Sequence, residues 1–367
     1  MTLDHHPLLD TLHDPPKRRS LDPHNMMGLV LAFPQQCREA YAIGQQAWKE
    51  PGGPAAIRQV VVTGLGGSAI GGDLARCLMD EYGIVPLIVN RDYSLPRYVG
   101  PETLVVALSY SGNTEETLTA YTEAKAEGAP RAVITGGGKL GALAVADGVP
   151  IAIVPGGQPP RSATGYLFFP LIACLARYGL LDRDLSDEIA ETLAHLERMA
   201  VTLGPDVPAA QNPAKRLAVA LYEKLPVIYG SQGYRGTVAY RWKSQINENA
   251  KEAAFANVLP EQNHNEILAW TLAQRQAKNW SVVFLRDPQE AAVSPRIARR
   301  VEVTKELIAT EADVHEVWAE GRSLLARMFH LIYFGDFVSV YLAYLNGICP
   351  TRIDGIDHLK AELAKLQ

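Results

Sequence analysis

TLVVALSYSGNTEETL, residues 103–118, is a short apolar run that empties into hydroxyl side chains, a glycine and an asparagine before two glutamates. An apolar run this short, followed by a helical period, marks a strand covered on both faces in a parallel sheet. Its exit is poor core material. Ser109, Ser111 and Thr114 bring hydroxyls, and Gly112 brings bare backbone, to the place where a strand ends and a helix starts. That is where α/β sheets take their ligands. The helix start adds N–H donors and partial positive charge, so the turn reads as a cradle for an oxyanion.

Working outward, RQVVVTGLGGSAIGGDLARCLMD (58–80) repeats the order strand, Gly-rich turn, helix. PLIVN (86–90), RAVITGG (131–137) and VPIAIVPGG (149–157) are further short apolar runs, and a helix follows from Ala163 to about Gly179. Alternation of this kind predicts βαβ units in a doubly wound sheet over 59–182. Residues 185–203 read as a connecting helix with Ile189, Leu193 and Leu196 on one face; GPDVPAAQNP (204–213) breaks it, which makes 183–214 a linker. PVIYGSQGYRGTVAYRWKSQINENAK (226–251) and WSVVFLRD (280–287) then restate the plan over 215–367. The fold class predicted is α/β: two tandem, flavodoxin-like domains with parallel sheets, behind an N-terminal arm and leading helix at 1–58. The copy ends its strand in Leu285-Arg286-Asp287 and lacks the hydroxyl-rich turn. The expectation is a duplicated fold with one phosphate pocket.

Composition narrows the function classes. The chain has 367 residues, 47% of them apolar, enough for two cores. Its formal net charge is −5 and its longest basic block is Lys17–Arg19, which argues against a nucleic-acid surface. Cys37, Cys77, Cys174 and Cys349 show no C-x-x-C spacing and read as buried thiols in a reducing compartment. The opening MTLDHHPLLDTLHDPPKRR has no signal-peptide core, and His5-His6 lacks converging ligands for a metal. The apolar run 166–176 is too short to span a bilayer, and 329–348 is interrupted by His330, Asp336 and Asn346; both read as buried helices. A soluble, cytoplasmic protein without membrane or nucleic-acid partner is expected.

The first turn, Gly64-Leu65-Gly66-Gly67-Ser68-Ala69, matches a G-x-G-x-x-A dinucleotide fingerprint, but that motif wants an acid after the second strand. Here Asn90-Arg91 stand in that place and would at best suit a 2′-phosphate. Pairing Gly67 and Ser68 with Ser109, Ser111, Gly112 and Thr114 gives a better account. With Arg91 the only nearby cation, this is a neutral cradle for a monophosphate. Serines at helix starts also serve as simple caps. Two such turns at neighbouring strand ends favour a ligand.

GLGGSAIGGDLA with SYSGNTEETL resembles the SIS (sugar isomerase) fold, and RWKSQINENAKEAAFANVLPEQNHNEI (241–267) resembles the bifunctional phosphoglucose/phosphomannose isomerases in particular. The resemblance covers roughly 60–367. It implies two SIS domains, a hexose 6-phosphate held at the first domain's serine–threonine loop, and a homodimer whose active site is completed across the interface. No metal-ligand cluster is visible in the sequence, so neither metal nor cofactor is expected. By position the resemblance makes Glu248 the base that carries a proton between C1 and C2, and His264 the ring-opening group. Lys360 would assist the ring oxygen, and Arg161 would steady the enediolate. The chemistry suits those types: imidazole titrates near neutrality, and developing negative charge needs a cation. Taken alone, Glu248 is also a solvated acid at a helix end, His264 an exposed loop residue, Lys360 a tail-helix charge and Arg161 a surface arginine. Thr351 is a candidate for discriminating the sugar epimers.

Three rivals remain. A hexosamine-phosphate synthase would need a cysteine at position 2, where threonine stands. A non-catalytic sugar-phosphate sensor would normally carry a basic recognition helix, for which 1–58 offers no good match, and has no use for Glu248 and His264. An NADP-binding dehydrogenase rests on Arg91 alone.

Overall fold

The computed structural model describes residues 8–48, 57–270, 276–363 and 365; His5-His6 lie outside them. The chain divides into two compact units, one of residues 32–197 and 321–327, the other of 1–31, 198–320 and 328–367.

In the first unit five strands run parallel: β1 (Gln59–Thr63), β2 (Leu87–Asn90), β3 (Thr103–Ser109), β4 (Arg131–Thr135) and β5 (Ile151–Ile153), in the order β2-β1-β3-β4-β5. β3 is buried along all seven residues, as its unbroken apolar run predicts. Val61 and Val105 pack under Ala120 and Ala124 of the helix Glu115–Ala126. The opposite face of β1 meets the helix Gly67–Tyr82, whose Gly72 sits directly over Val62 and Val89. Strand order reverses between β1 and β3. Their carboxyl ends therefore flank the topological switch point, the ligand crevice of open α/β sheets.

The second unit repeats this with β6 (Leu225–Ser231), β7 (Phe255–Leu259), β8 (Trp280–Arg286) and β9 (Asp313–Trp318), all parallel, in the order β7-β6-β8-β9. Val227, Tyr229, Leu259, Val282 and Phe284 form its core with Trp270, Val301 and Ile308. The fold is thus α/β with two parallel sheets of the expected winding.

The segment read from sequence as arm and leading helix is shared between the units. Phe33–Ala47 packs on the helix Thr164–Arg177 of the first. Helices Leu8–His13, Pro15–Leu21 and Met26–Leu31 belong to the second, where Arg18 donates to the Leu12 carbonyl (2.6 Å) and Asp206 (2.5 Å). Asp22 accepts from Met26 N, Met27 N and the Tyr344 hydroxyl (2.8, 2.9 and 2.9 Å). Leu324–Leu345 is long and apolar enough to cross a membrane, but its apolar stretch is wholly buried in the protein, so it is a core helix. Cys37, Cys77 and Cys174 are buried and Cys349 is half-buried, and none of the four is in a disulfide.

Candidate active site

At the β1 and β3 ends the hydroxyls do not cap helices. Thr114 occupies the N-cap position of Glu115–Ala126 yet its side chain makes no capping bond, and Gly66 at the N-cap of Gly67–Tyr82 has no side chain to offer. Instead Ser109 Oγ and Thr114 Oγ1 share a hydrogen bond of 3.0 Å, Ser109 Oγ accepts from Gly112 N (3.1 Å), and Ser111 Oγ accepts from Asn113 N (3.2 Å). The capping account of these serines fails on that geometry. The N-termini of two helices, neither capped by a side chain, follow the ends of β1 and β3, with Ser109, Ser111 and Thr114 in the second of these turns.

The glycines also let neighbouring loops pack. Gly112 has φ +69, and a Cβ there would stand 1.8 Å from the Gly137 carbonyl oxygen. Gly67 is bare because a Cβ would lie 2.8 Å from the Pro160 carbonyl oxygen. Each lets a neighbouring loop pack closely: β4's exit against β3's, and the turn Pro160–Ser162 against β1's. The second contact sets Arg161, 3% exposed, against the first cradle turn. Gln36 fixes that turn by donating to the Ser162 carbonyl and accepting from Gly165 N, both at 2.9 Å. Arg91, read from sequence as the cradle's cation, is ion-paired with Asp73. The one feature that suited a 2′-phosphate is therefore already spoken for.

Glu248 lies in the second unit, on a π-helical turn, Ile246–Ala250, that closes the helix Tyr234–Gln245. Such turns widen a helix locally and are frequent at functional sites. This one is clamped by its neighbours onto Leu324–Leu345. Arg241 donates to both oxygens of Asp336 (2.9 and 3.0 Å), Gln245 Nε2 donates to the same carboxylate (2.7 Å), and Asn249 Nδ2 donates to Ser339 Oγ (2.9 Å). Burial pushes the Asp336 carboxyl up; Arg241 and Gln245 oppose that shift. Lys251 Nζ then donates to the carbonyls of Glu248 (2.8 Å), Cys349 and Pro350 (both 2.9 Å), which ties the turn to the loop before the C-terminal helix Asp354–Leu363. Lys360 stands exposed on that helix.

His264 is exposed at the end of the short helix Glu261–His264, just beyond β7. Its neighbours are braced. Asn263 Nδ2 donates to Thr304 Oγ1 (2.8 Å), and Glu266 accepts from the Tyr229 hydroxyl and from Asn257. Within one chain, β7 separates Glu248 from His264. The helix before β7 returns to the amino edge of the sheet, where Glu248 sits, and His264 follows the carboxyl edge. Five strand residues put about 16 Å between those edges.

A bifunctional phosphoglucose/phosphomannose isomerase from Caldicellulosiruptor bescii is 44% identical over 343 residues, 93% of this chain and 100% of the relative. The chain belongs to the bifunctional phosphoglucose/phosphomannose isomerase family. A family member from Thermoplasma acidophilum is 37% identical and covers 83% of this chain and 89% of its own. The family described as "Bacterial phospho-glucose isomerase C-terminal SIS domain" matches residues 210–363, and "SIS domain" matches 55–143. A hypothetical protein from Thermus thermophilus has the same fold, with a TM-score of 0.73 at 17% identity, covering 98% of this chain and 95% of that one. As a member of this family the chain is an enzyme of the isomerase class and has two SIS domains.

The second SIS domain of this family member fills its own switch point. Where the first has hydroxyls, Arg286 at the end of β8 is 3% exposed and bonds Glu290, Glu302 and Glu316, while Arg235 also pairs with Glu290. The Tyr234 hydroxyl donates to Asp287 at 2.5 Å. The protein's own carboxylates occupy that crevice. Sequence reasoning missed the supports of the Glu248 turn, Lys251, Asp336 and Ser339, because helix-to-helix pairing leaves no local motif. The one signal was polar residues inside the apolar run 329–348. Ser339→Ala removes the acceptor of buried Asn249 and should cost about 1–3 kcal/mol in urea unfolding. It should also lower kcat more than it raises KM, because it loosens the Glu248 turn.

Proposed function

We propose that this chain interconverts glucose 6-phosphate and mannose 6-phosphate with fructose 6-phosphate by moving a proton between C1 and C2 through a cis-enediol. The phosphate rests on Gly67, Ser68, Ser109, Ser111 and Thr114. Glu248 carries the proton, His264 opens the ring, Lys360 assists the ring oxygen, and Arg161 steadies the enediolate charge. The enzyme works as a cytoplasmic homodimer in carbohydrate metabolism.

The observation that carries the phosphate assignment is the pair of helix N-termini at the β1/β3 switch point, uncapped by side chains and lined with hydroxyls. The acid-filled crevice of the second domain supports a single phosphate site. Ring opening acts at C1 and the ring oxygen, and proton transfer at C1 and C2, so both groups must come within about 3 Å of neighbouring atoms. Glu248 and His264 of one chain, at opposite edges of β7, do not meet that requirement. His264 is accordingly supplied by a second subunit.

The direct test is purified protein with fructose 6-phosphate, scoring both aldose products; the absence of both would end the reading. Replacing Ser109, Ser111 and Thr114 together with alanine should chiefly raise KM, each lost bond to a charged group being worth about 1.5–3 kcal/mol. An unchanged KM in the folded triple variant would move the phosphate elsewhere.

A further inference from the structure

We propose that the groove between the helix Pro295–Ile308 and the turn bearing His264 is a second ligand site, for a small molecule with two or more phosphate or carboxylate groups. The groove is a cavity of about 420 Å³ lined by Asn263, Ile267, Arg296, Arg299, Arg300 and Thr304, within the usual size range for small-molecule sites. Among the described residues no carboxylate lines it.

The sequence of this helix runs against helix physics. It starts with Pro295, has no acid in its first turn and no side-chain cap, yet Arg296, Arg299 and Arg300 crowd its first two turns. Helix N-termini favour negative charge, and cations there are disfavoured. Arg296 is also three and four residues from the other two, a spacing at which like charges repel. The helix's acids offer little relief. Glu302 is engaged by Lys305 (2.7 Å) and Arg286 (2.8 Å), and Glu306 reaches Arg299 only at 3.7 Å, with side chains 63% and 70% exposed. An exposed pair of that length is weak. A local conflict of this kind is expected where a site has been built. A polyanion in the groove would satisfy the guanidinia with paired hydrogen bonds and the helix dipole at once. Three guanidinia and this volume exceed what one phosphate needs, which selects a ligand with at least two anionic groups.

The site is coupled to the turn beside it. Arg300 Nη1 donates to Asn263 Oδ1 at 3.4 Å, a long bond, and Asn263 immediately precedes His264. An anion that draws Arg300 away removes its bond to Asn263 Oδ1 and leaves that side chain held through Nδ2 by Thr304 and Gln262, so occupancy is felt at His264. This coupling rests on the role given to His264 above; the binding site does not.

The experiment is calorimetric titration of the full-length protein with sodium tripolyphosphate, the cradle being kept full with saturating fructose 6-phosphate. One site per chain is expected, retained in the Ser109/Ser111/Thr114 alanine variant and at least tenfold weaker in Arg296→Gln/Arg299→Gln. Orthophosphate should bind more weakly than tripolyphosphate. Binding unaffected by the arginine substitutions, or lost in the cradle variant, would overturn the site. So would dissociation of Arg296→Gln/Arg299→Gln into monomers by sedimentation velocity, which would make the arginines a subunit contact. Isomerisation rates supply the second arm. Tripolyphosphate should change kcat in the unmodified enzyme and leave the arginine variant unaffected; identical rates with intact binding would overturn the coupling. A chain with no isomerase activity but intact binding would overturn the catalytic reading instead.

Discussion

Glu248→Gln is expected to lower kcat by at least about 10²–10⁴-fold, the usual contribution of a positioned general base, while hexose-phosphate binding stays close to that of the unmodified enzyme. The amide keeps the shape of the carboxylate and one acceptor oxygen but cannot carry the proton between C1 and C2. The clamp around the turn is kept in this substitution. Asn249, Lys251, Arg241 and Gln245 hold it by bonds that do not use the Glu248 carboxylate. The decisive measurement is solvent-deuterium exchange at C2 of the substrate alongside turnover. Exchange at the unmodified rate in Glu248→Gln would place the base elsewhere. His264→Ala should behave differently, losing more activity on cyclic substrate than on open-chain substrate, because ring opening is the role proposed for it.

The parallel strands were legible in the sequence because they are buried on both faces and read as short apolar runs. TLVVAL and VVFL show it directly, and both are central strands. The hydroxyl-rich turn was legible because its hydroxyls are close together in the chain. What the sequence hid depends on residues far apart in it. Arg91 looked available until the fold set Asp73 beside it. The glycines looked like openings for a ligand, and the sequence did not show that Gly112 and Gly67 must also be bare because another loop's carbonyl leaves no room for a Cβ. The π turn has no motif. It arises where Asn249 must reach Ser339 while Asn346 holds the Ala250 carbonyl, two contacts spanning about a hundred residues of chain. Arg286 and Glu290, by contrast, are local, and their spacing foretold a filled crevice only once the helix after β8 was known.

Mixing two inactive variants should restore activity. If Glu248 and His264 at one site come from different subunits, a dimer of one Glu248→Gln chain and one His264→Ala chain has one site with both groups changed and one with both intact. Random re-pairing of equal amounts makes half the dimers mixed, so activity should return to about a quarter of the unmodified level for a two-fold symmetric dimer. If one chain supplied both groups, every mixed dimer would retain two defective sites and nothing would return. The fold argues for the first outcome through β7 alone. Its five residues hold Glu248 and His264 at opposite edges of the sheet, and no side-chain rotation closes about 16 Å. The measurement is the isomerisation rate after the two variants are mixed, dissociated with dilute urea and dialysed together, compared with each variant treated alone. A mixture no more active than its parents would return His264 to the site of its own chain, and would require β7 and its flanking turns to rearrange when substrate binds.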